Sequence, residues 1–176
     1  MREDFLDFLD TEYHLVVRFM MFYGANLHDA QDATQHMAAQ GWRKVQQGRW
    51  DQVRHPQAWA RRVALNHYRA ERSAQIKLTL TDAEPDTEPG AGLLAAGPEH
   101  AELTGQARDV VSLLHRLDDL NCRAVIALDI DGFTTADIAD VVGRTHQQVR
   151  TLRAKARRHL KTHLAANRAG EGRTTQ

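Results

Sequence analysis

The stretch TTADIADVVGRTHQQVRTLRAKARR, residues 134–158, reads as a short helix, a tight turn and a second helix with a strongly basic surface. Thr134 can cap the first helix, with Asp137 three residues later inside its first turn. Ile138, Val141 and Val142 then fall on one apolar stripe. Gly143 stands where a helix ends in a left-handed residue, the position at which a missing β-carbon costs least. Thr145 and Gln148 repeat the capping-box spacing and open the second helix, with Val149, Leu152, Ala156 and Leu160 facing inward. Between those apolar positions lie Arg150, Arg153, Lys155, Arg157, Arg158 and Lys161, and no acidic residue occurs from Thr145 to Arg168. A helix-turn-helix lays its second helix in the major groove, where the N-terminal half meets base edges and the cationic remainder meets phosphates. The same corner also occurs in proteins that never touch DNA, and a basic helix can be no more than a solvated face.

Composition narrows the classes. A chain of 176 residues can hold one medium domain or two small ones, each with a modest core. No apolar run approaches the length needed to span a bilayer, and the acidic start MREDFLDFLDTEY lacks the basic-then-apolar order of a signal peptide. Cys122 is the sole cysteine and cannot form an internal disulfide, so a reducing cytoplasm is the expected compartment. The formal net charge is zero, but its distribution is uneven. Residues 1–32 carry seven acids against two bases, and residues 43–72 carry eight bases against two acids. Residues 79–102 hold six acids and no Lys or Arg, ahead of the basic C-terminal helix. Alternating blocks of opposite sign imply several contact surfaces rather than one.

The chain is expected to be all-α, in two lobes. From Phe5 to about Ser73 the apolar spacing is helical, with breaks at Tyr23-Gly24 and Gly48. A second helix is expected from near Asp29 through Met37 to Trp42. Pro56 suits the first turn of a third, carrying Trp59, Val63, Ala64 and Tyr68. Residues 79–98 contain three of the four prolines together with glycines and unopposed acids, which predicts a flexible acidic linker. Helices are expected to resume near Glu99 or Glu102 and to continue to about Ala166, ahead of a disordered tail at 167–176.

This arrangement resembles the extracytoplasmic-function class (group IV) of sigma-70-type sigma factors, the bacterial subunits that give RNA polymerase its promoter choice. Residues 5–73 resemble sigma region 2 and residues 103–165 resemble region 4. Asp29-Ala30-Gln31-Asp32-Ala33-Thr34-Gln35-His36 leading to Trp42 is similar to the family's D-A-E-D-x-x-Q-E run ending in an aromatic. Pro56-Gln57-Ala58-Trp59, then Ala64 and Asn66, is similar to its P-x-A-W-x-x-x-x-A-x-N run. In region 4, Arg123, Val125, Leu128, Ile138-Ala139, Gly143, Val149-Arg150-Thr151 and Ala156-Arg157 follow the family order. His36, Ala33 and Ala70 depart from it, standing in place of an acid, a larger aliphatic and an acid.

The resemblance implies domains at 1–75 for region 2 and 102–166 for region 4, joined by a linker over 76–101. It implies polymerase docking through Asp29, Asp32, Gln35 and His36; carboxylates on one helical face suit an arginine-rich partner. On its own, the spacing equally allows Asp29 to cap its helix and Asp32 to be solvated. The −10 promoter element would meet Arg61, Arg62, Asn66, Arg69 and Arg72, with a flipped base held partly by the loop from Arg49 to His55. Trp50 and Trp59 offer either stacking platforms or core, and the resemblance puts Trp59 in the core. The −35 element would meet Arg150, Thr151, Ala154 and Lys155, with Gln147, Gln148 and Arg153 as further contacts and Arg157 and Arg158 on phosphates. The linker acids either imitate nucleic acid inside polymerase or keep a tether extended.

The expected function is therefore that of a cytoplasmic bacterial sigma factor. It would bind core RNA polymerase, direct it to promoters through −35 and −10 elements, and promote DNA opening. Core polymerase, promoter DNA and an anti-sigma factor are the partners implied. Two alternatives stay open: a stand-alone helix-turn-helix regulator, and a sigma-like interaction module that does not initiate. No P-loop, dinucleotide fingerprint, nucleophile elbow or zinc pattern is present, so neither an enzyme nor a cofactor is expected. His159 and His163 lie four apart on a helix, but two ligands are too few for a metal site.

Overall fold

A computed structural model describes residues 2–82 and 105–171, and every regular element among them is helical. In chain order these are α1 (Arg2–Tyr23), α2 (Leu27–Gln46), a 3-10 turn (Trp50–Gln52), α3 (Pro56–Asp82), α4 (Gly105–Leu114), α5 (Leu120–Ile130), α6 (Thr135–Val142) and α7 (His146–Glu171). They form two compact units, one built on α1–α3 and the other on α4–α7.

In the first unit, α2 and α3 pack closely along each other. The inward stripe of α2 is Ala30, Ala33, Thr34, Met37 and Gly41, mostly small side chains that permit a short interhelical distance. Ala33, the departure noted above, is one of these buried contacts. Thr34 satisfies its buried hydroxyl by donating to the Ala30 carbonyl at 2.7 Å. Helix α1 adds Phe5, Val16, Phe19 and Met20 to the core. A β-carbon at Gly41 would overlap the Phe5 ring, so this glycine exists for close approach rather than for a turn.

One ion pair is buried among these apolar groups. Arg61 is 2% exposed and Glu12 7%, and the Arg61 guanidinium donates to Glu12 Oε2 at 2.8 Å and to the Gln57 carbonyl at 3.2 Å. Arg61 was expected on the −10-facing surface. The structure places it inside the first unit, where it has no access to a DNA backbone.

In the second unit, α5 is the central helix: Cys122 and Ala124 through Leu128 are all buried, which a one-faced helix would not allow. Asp119 caps it, accepting from the backbone N–H of Asn121 and Cys122. Arg123 folds back and donates to the Leu117 and His115 carbonyls, fixing the turn between α4 and α5. Helix α6 opens with a full capping box between Thr134 and Asp137 and closes at Gly143, whose φ of 67° is left-handed. Both features match the reading of the opening stretch.

Several boundaries differ from expectation. Helix α2 starts at Leu27 instead of near Asp29, because Asn26 is the N-cap and accepts from the Asp29 N–H at 2.8 Å. Helix α3 continues past Ser73 to Asp82, so residues 76–82 of the expected linker are helical. Gln75, Ile76, Lys77 and Leu78 tolerate a helix well, and the first proline after Pro56 is Pro85. Likewise α7 runs to Glu171 rather than Ala166, because no Gly or Pro interrupts before Gly170. The rest of the expected linker, the predicted start near Glu99 or Glu102 and residues 172–176 lie outside the described residues.

Glu12→Ala should lower the stability of the first unit by about 3–5 kcal/mol, since it leaves a buried guanidinium without its carboxylate. Urea unfolding of the variant measures the loss. The apolar pair Glu12→Leu with Arg61→Met should recover most of it.

Candidate nucleic-acid interface

Helix α7 is held by its start and by its inner edge, which leaves one face free. Gln148 donates its N–H to Thr145 Oγ1 at 3.2 Å, and its side-chain oxygen accepts from the Thr145 N–H at 2.9 Å. Val149 and Ala156 are fully buried, while Leu152 and Leu160 are only half-buried. On the outer face Gln147, Gln148, Arg150, Thr151, Ala154, Lys155, Arg157 and Arg158 are exposed. Arg144 and His146 join them at the helix start, two residues outside the sequence-derived set.

The exposed side chains are not equally free. Thr151 donates its hydroxyl to the Gln147 carbonyl at 3.0 Å. With one lone pair of its oxygen committed to the cap, Gln148 turns its amide hydrogens to a base edge most freely. Lys155 bonds Asp119 at 2.9 Å although its side chain is 61% exposed, and Arg157 sits 3.4 Å from Asp129 at 69% exposed. The guanidinium groups of Arg150 and Arg158 have no polar partner among the described residues.

Arg153 is different in kind. It donates to Asp129 Oδ1 at 2.6 Å and to Thr135 Oγ1 at 3.2 Å, with 20% of its side chain exposed. It therefore joins α5, α6 and α7 and is tied into the fold rather than offered to a groove. Asp129 and Asp119, which hold Arg153 and Lys155, carry no local sequence signal: their partners are 24 and 36 residues away.

Electrostatics follow these bonds. Burial pushes the Asp119 carboxyl up, but the hydrogen bond from Lys155 and the N–H groups of Asn121 and Cys122 outweigh it, and its pKa lies below the usual value. The same bond to Asp119 raises Lys155. Burial, with Asp119 beside it, pushes the Cys122 thiol up to about 11, so it is an inert core group rather than a nucleophile.

The second basic surface lies on α3. Asn66 is exposed and Arg62 and Arg69 are half-buried, all on the side opposite the buried stripe of Ala64 and Tyr68. Arg72 donates to the Tyr68 hydroxyl at 3.0 Å and lines a cleft of about 150 Å³ with Asp29, Asp32, His67 and Glu71. It thus sits with the acidic residues of α2 instead of with Asn66. Trp50 and Trp59 are both buried, which makes them core and removes them as stacking platforms.

On α2, Asp32 and Gln35 are exposed, while Asp29 and His36 are half-buried. Asp29 Oδ2 accepts from the Asn26 amide at 3.1 Å, completing the helix start. The His36 ring stacks flat on His67, with centroids 4.0 Å apart and planes 7° from parallel. His67 Nε2 is 3.1 Å from Asp32 Oδ2, and Gln40 approaches His36 Nε2 at 3.3 Å. His67 joins this face from another helix, 35 positions from Asp32, and carries no local sequence signal for it. Among the described residues no group of three or more metal-binding side chains converges, and the stacked His159 and His163 remain a pair.

Burial, then the neighbouring His67 and Arg43, hold the His36 pKa below the usual imidazole value, against the opposing pull of Asp32 and Glu71. A depressed folded-state pKa means that the unfolded chain takes up this proton more readily. The His36 contribution is therefore fully present above about pH 6.5 and is lost as pH falls through the folded value. Urea midpoints at about pH 7.5 and 5.5 should show a smaller acid-induced loss in His36→Gln than in the parent protein.

Residues 8–74 match the family model described as Sigma-70 region 2. Among solved structures, the chain is similar to the sigma factor RpoE from Bartonella quintana, crystallised in complex with the anti-sigma factor NepR. The alignment covers 93% of this chain and 98% of that one, with a TM-score of 0.67 and 19% identity, so the likeness is one of fold. No curated protein gives a significant match. No described helix is long and apolar enough to cross a membrane. Residues 8–74 thus match a sigma-70 region 2 domain, a helix-turn-helix unit follows it, and the fold of the chain is similar to that of a solved sigma factor.

Proposed function

We propose that the chain is a sigma factor of the extracytoplasmic-function class, a non-enzymatic subunit that directs RNA polymerase to promoters in the cytoplasm, with region 2 over residues 1–75 and region 4 over 102–166. Region 4 reads the −35 element as duplex through the exposed face of α7, and region 2 engages the −10 element through α3 and the loop before it. Core polymerase docks on α2 through Asp32 and Gln35, with Asp29 and His36 shaping the same face. The observation that carries this reading is the exposed, capped start of α7, where the Arg150 guanidinium is unengaged among the exposed cations Arg144, Lys155, Arg157 and Arg158. A free guanidinium near a helix start is suited to bidentate bonding with guanine O6 and N7. Lys155, Arg157 and Arg158 suit phosphates; Arg62, Asn66 and Arg69 suit the −10 strand; Arg61 and Arg153 are assigned structural roles. The solved relative was crystallised with an anti-sigma factor, which supports a partner of that kind here.

Run-off transcription with purified core polymerase on a fragmented host genomic library tests the whole reading. New start sites sharing two spaced upstream elements are expected; core binding without transcripts would leave only an interaction module. Arg150→Ala should cost about 1–3 kcal/mol at the −35 element and relax its sequence preference, measured by competition binding. Equal loss on every DNA sequence would make Arg150 a phosphate contact. Asp32→Arg should weaken core-polymerase binding with the helical content unchanged, as read by co-purification and circular dichroism.

A further inference from the structure

Asp32 is an exposed carboxylate on α2, with 60% of its side chain in solvent. A short side chain so placed and without a partner rotates freely, and that freedom is lost when it is bound. Asp32 is not in that condition. His67 Nε2 reaches across from α3 to lie 3.1 Å from Asp32 Oδ2, and only 19% of the His67 side chain is exposed. An ionised carboxylate can only accept, so His67 Nε2 carries the proton and donates it. The bond leaves Asp32 Oδ1 without a partner among the described residues. Both side chains line the cleft between these helices, with Asp29 and Glu71 beside them.

The His67 ring is itself held. It lies flat on His36, with centroids 4.0 Å apart and planes 7° from parallel, so tilting either ring breaks the stack. His36 is half-buried on α2, one turn from Asp32 on one side and from Gln40 on the other. The Gln40 amide nitrogen, 3.3 Å from His36 Nε2, can only donate, so that ring nitrogen accepts and the His36 proton sits on Nδ1. This neutral form agrees with an imidazole held below its usual pKa by burial and by His67. Four side chains thus make one line, from Gln40 to His36 to His67 to Asp32, which leaves α2, crosses to α3 and returns to α2. A carboxylate at position 36 would instead stand one turn from Asp32 and repel it.

We propose that His67 and His36 are positioning residues for core-polymerase docking: His67 sets the direction of the Asp32 carboxylate, and His36 holds the His67 ring. The inference rests on the reading of α2 as the docking face, and it gives His36 a part played through His67 rather than at the partner's surface. The group received is a guanidinium of polymerase, because a carboxylate fixed in one direction suits the planar fork of arginine. Fixing the carboxylate beforehand removes an ordering cost from the binding step.

The test measures the affinity of the full chain for purified core polymerase by fluorescence titration. His67→Ala should weaken binding roughly three- to tenfold, the span expected when one side chain must be ordered on binding. The same substitution made on top of Asp32→Ala should weaken it no further. His36→Ala should lose part of the affinity, and His36→Phe, which keeps a flat ring against His67, should restore it. Equal losses from His67→Ala with and without the Asp32 carboxylate make His67 a packing residue of α2 and α3 and overturn the proposal. Unchanged or tighter binding by His67→Ala overturns it as well, as does a His36→Phe chain no better than His36→Ala. An Asp32→Ala chain that binds as the parent does overturns the docking reading itself, and the proposal with it.

Discussion

The Glu12–Arg61 ion pair fixes the rotation of α3, and the exposed surfaces of the first unit depend on that rotation. A helix has no freedom once one long side chain is committed inward: with Arg61 against Glu12, Leu65 and Tyr68 must follow it into the core. Arg62, Asn66 and Arg69 are then turned outward together, and His67 is brought over the face of α2. An apolar residue at position 61 could slide among apolar neighbours at little cost. A guanidinium that needs a carboxylate at hydrogen-bond distance cannot, because its alternatives are a buried unpaired charge or unfolding. The pair thus contributes register more than net stability.

The second unit uses charge in a related way. Asp129 gathers Arg153 and Arg157, and Asp119 caps α5 while holding Lys155. Both acids precede α7 in the chain and reach it from the helix it packs against or from that helix's cap. Part of the cationic run on α7 is therefore matched internally, and the field it projects is smaller than its composition suggests. What remains open runs along the outer face from Arg144 through Arg150 and Arg158 to Lys161.

These pairings mark the limit of what could be read from the chain. The capping boxes at Thr134 and Thr145, the left-handed Gly143 and the proline at the start of α3 were legible, because each works through residues three or four positions apart or through one residue's own backbone. Arg61 was misplaced because Glu12 is 49 positions away, and a lone arginine on a basic helix gives no hint of such a partner. Arg153 and His36 belong to the same class, their partners set by packing. Trp50 and Trp59 lay between the two: spacing alone left them either core or platform, and the rings of Phe5 and Phe8 from α1, 4.7 and 5.1 Å from the Trp50 ring, place Trp50 in the core. Helix ends past Ser73 and Ala166 were missed for another reason, since a helix without a breaker continues beyond the point where its apolar stripe stops.

Zero net charge acquires a function on the proposed reading. Affinity for duplex DNA at large comes from unpaired cations displacing counterions. Here several cations are bonded within the fold, and residues 1–32 contribute an excess of acids. Each such bond lowers the share of the cationic charge that is left for arbitrary DNA. Two weak, differently directed surfaces become a strong reader only when a third body holds both at the right separation, so that binding at one raises the effective concentration of the other. On the proposed reading core polymerase supplies that body. On that reading, promoter choice depends on assembly with polymerase because neither surface has to bind strongly by itself.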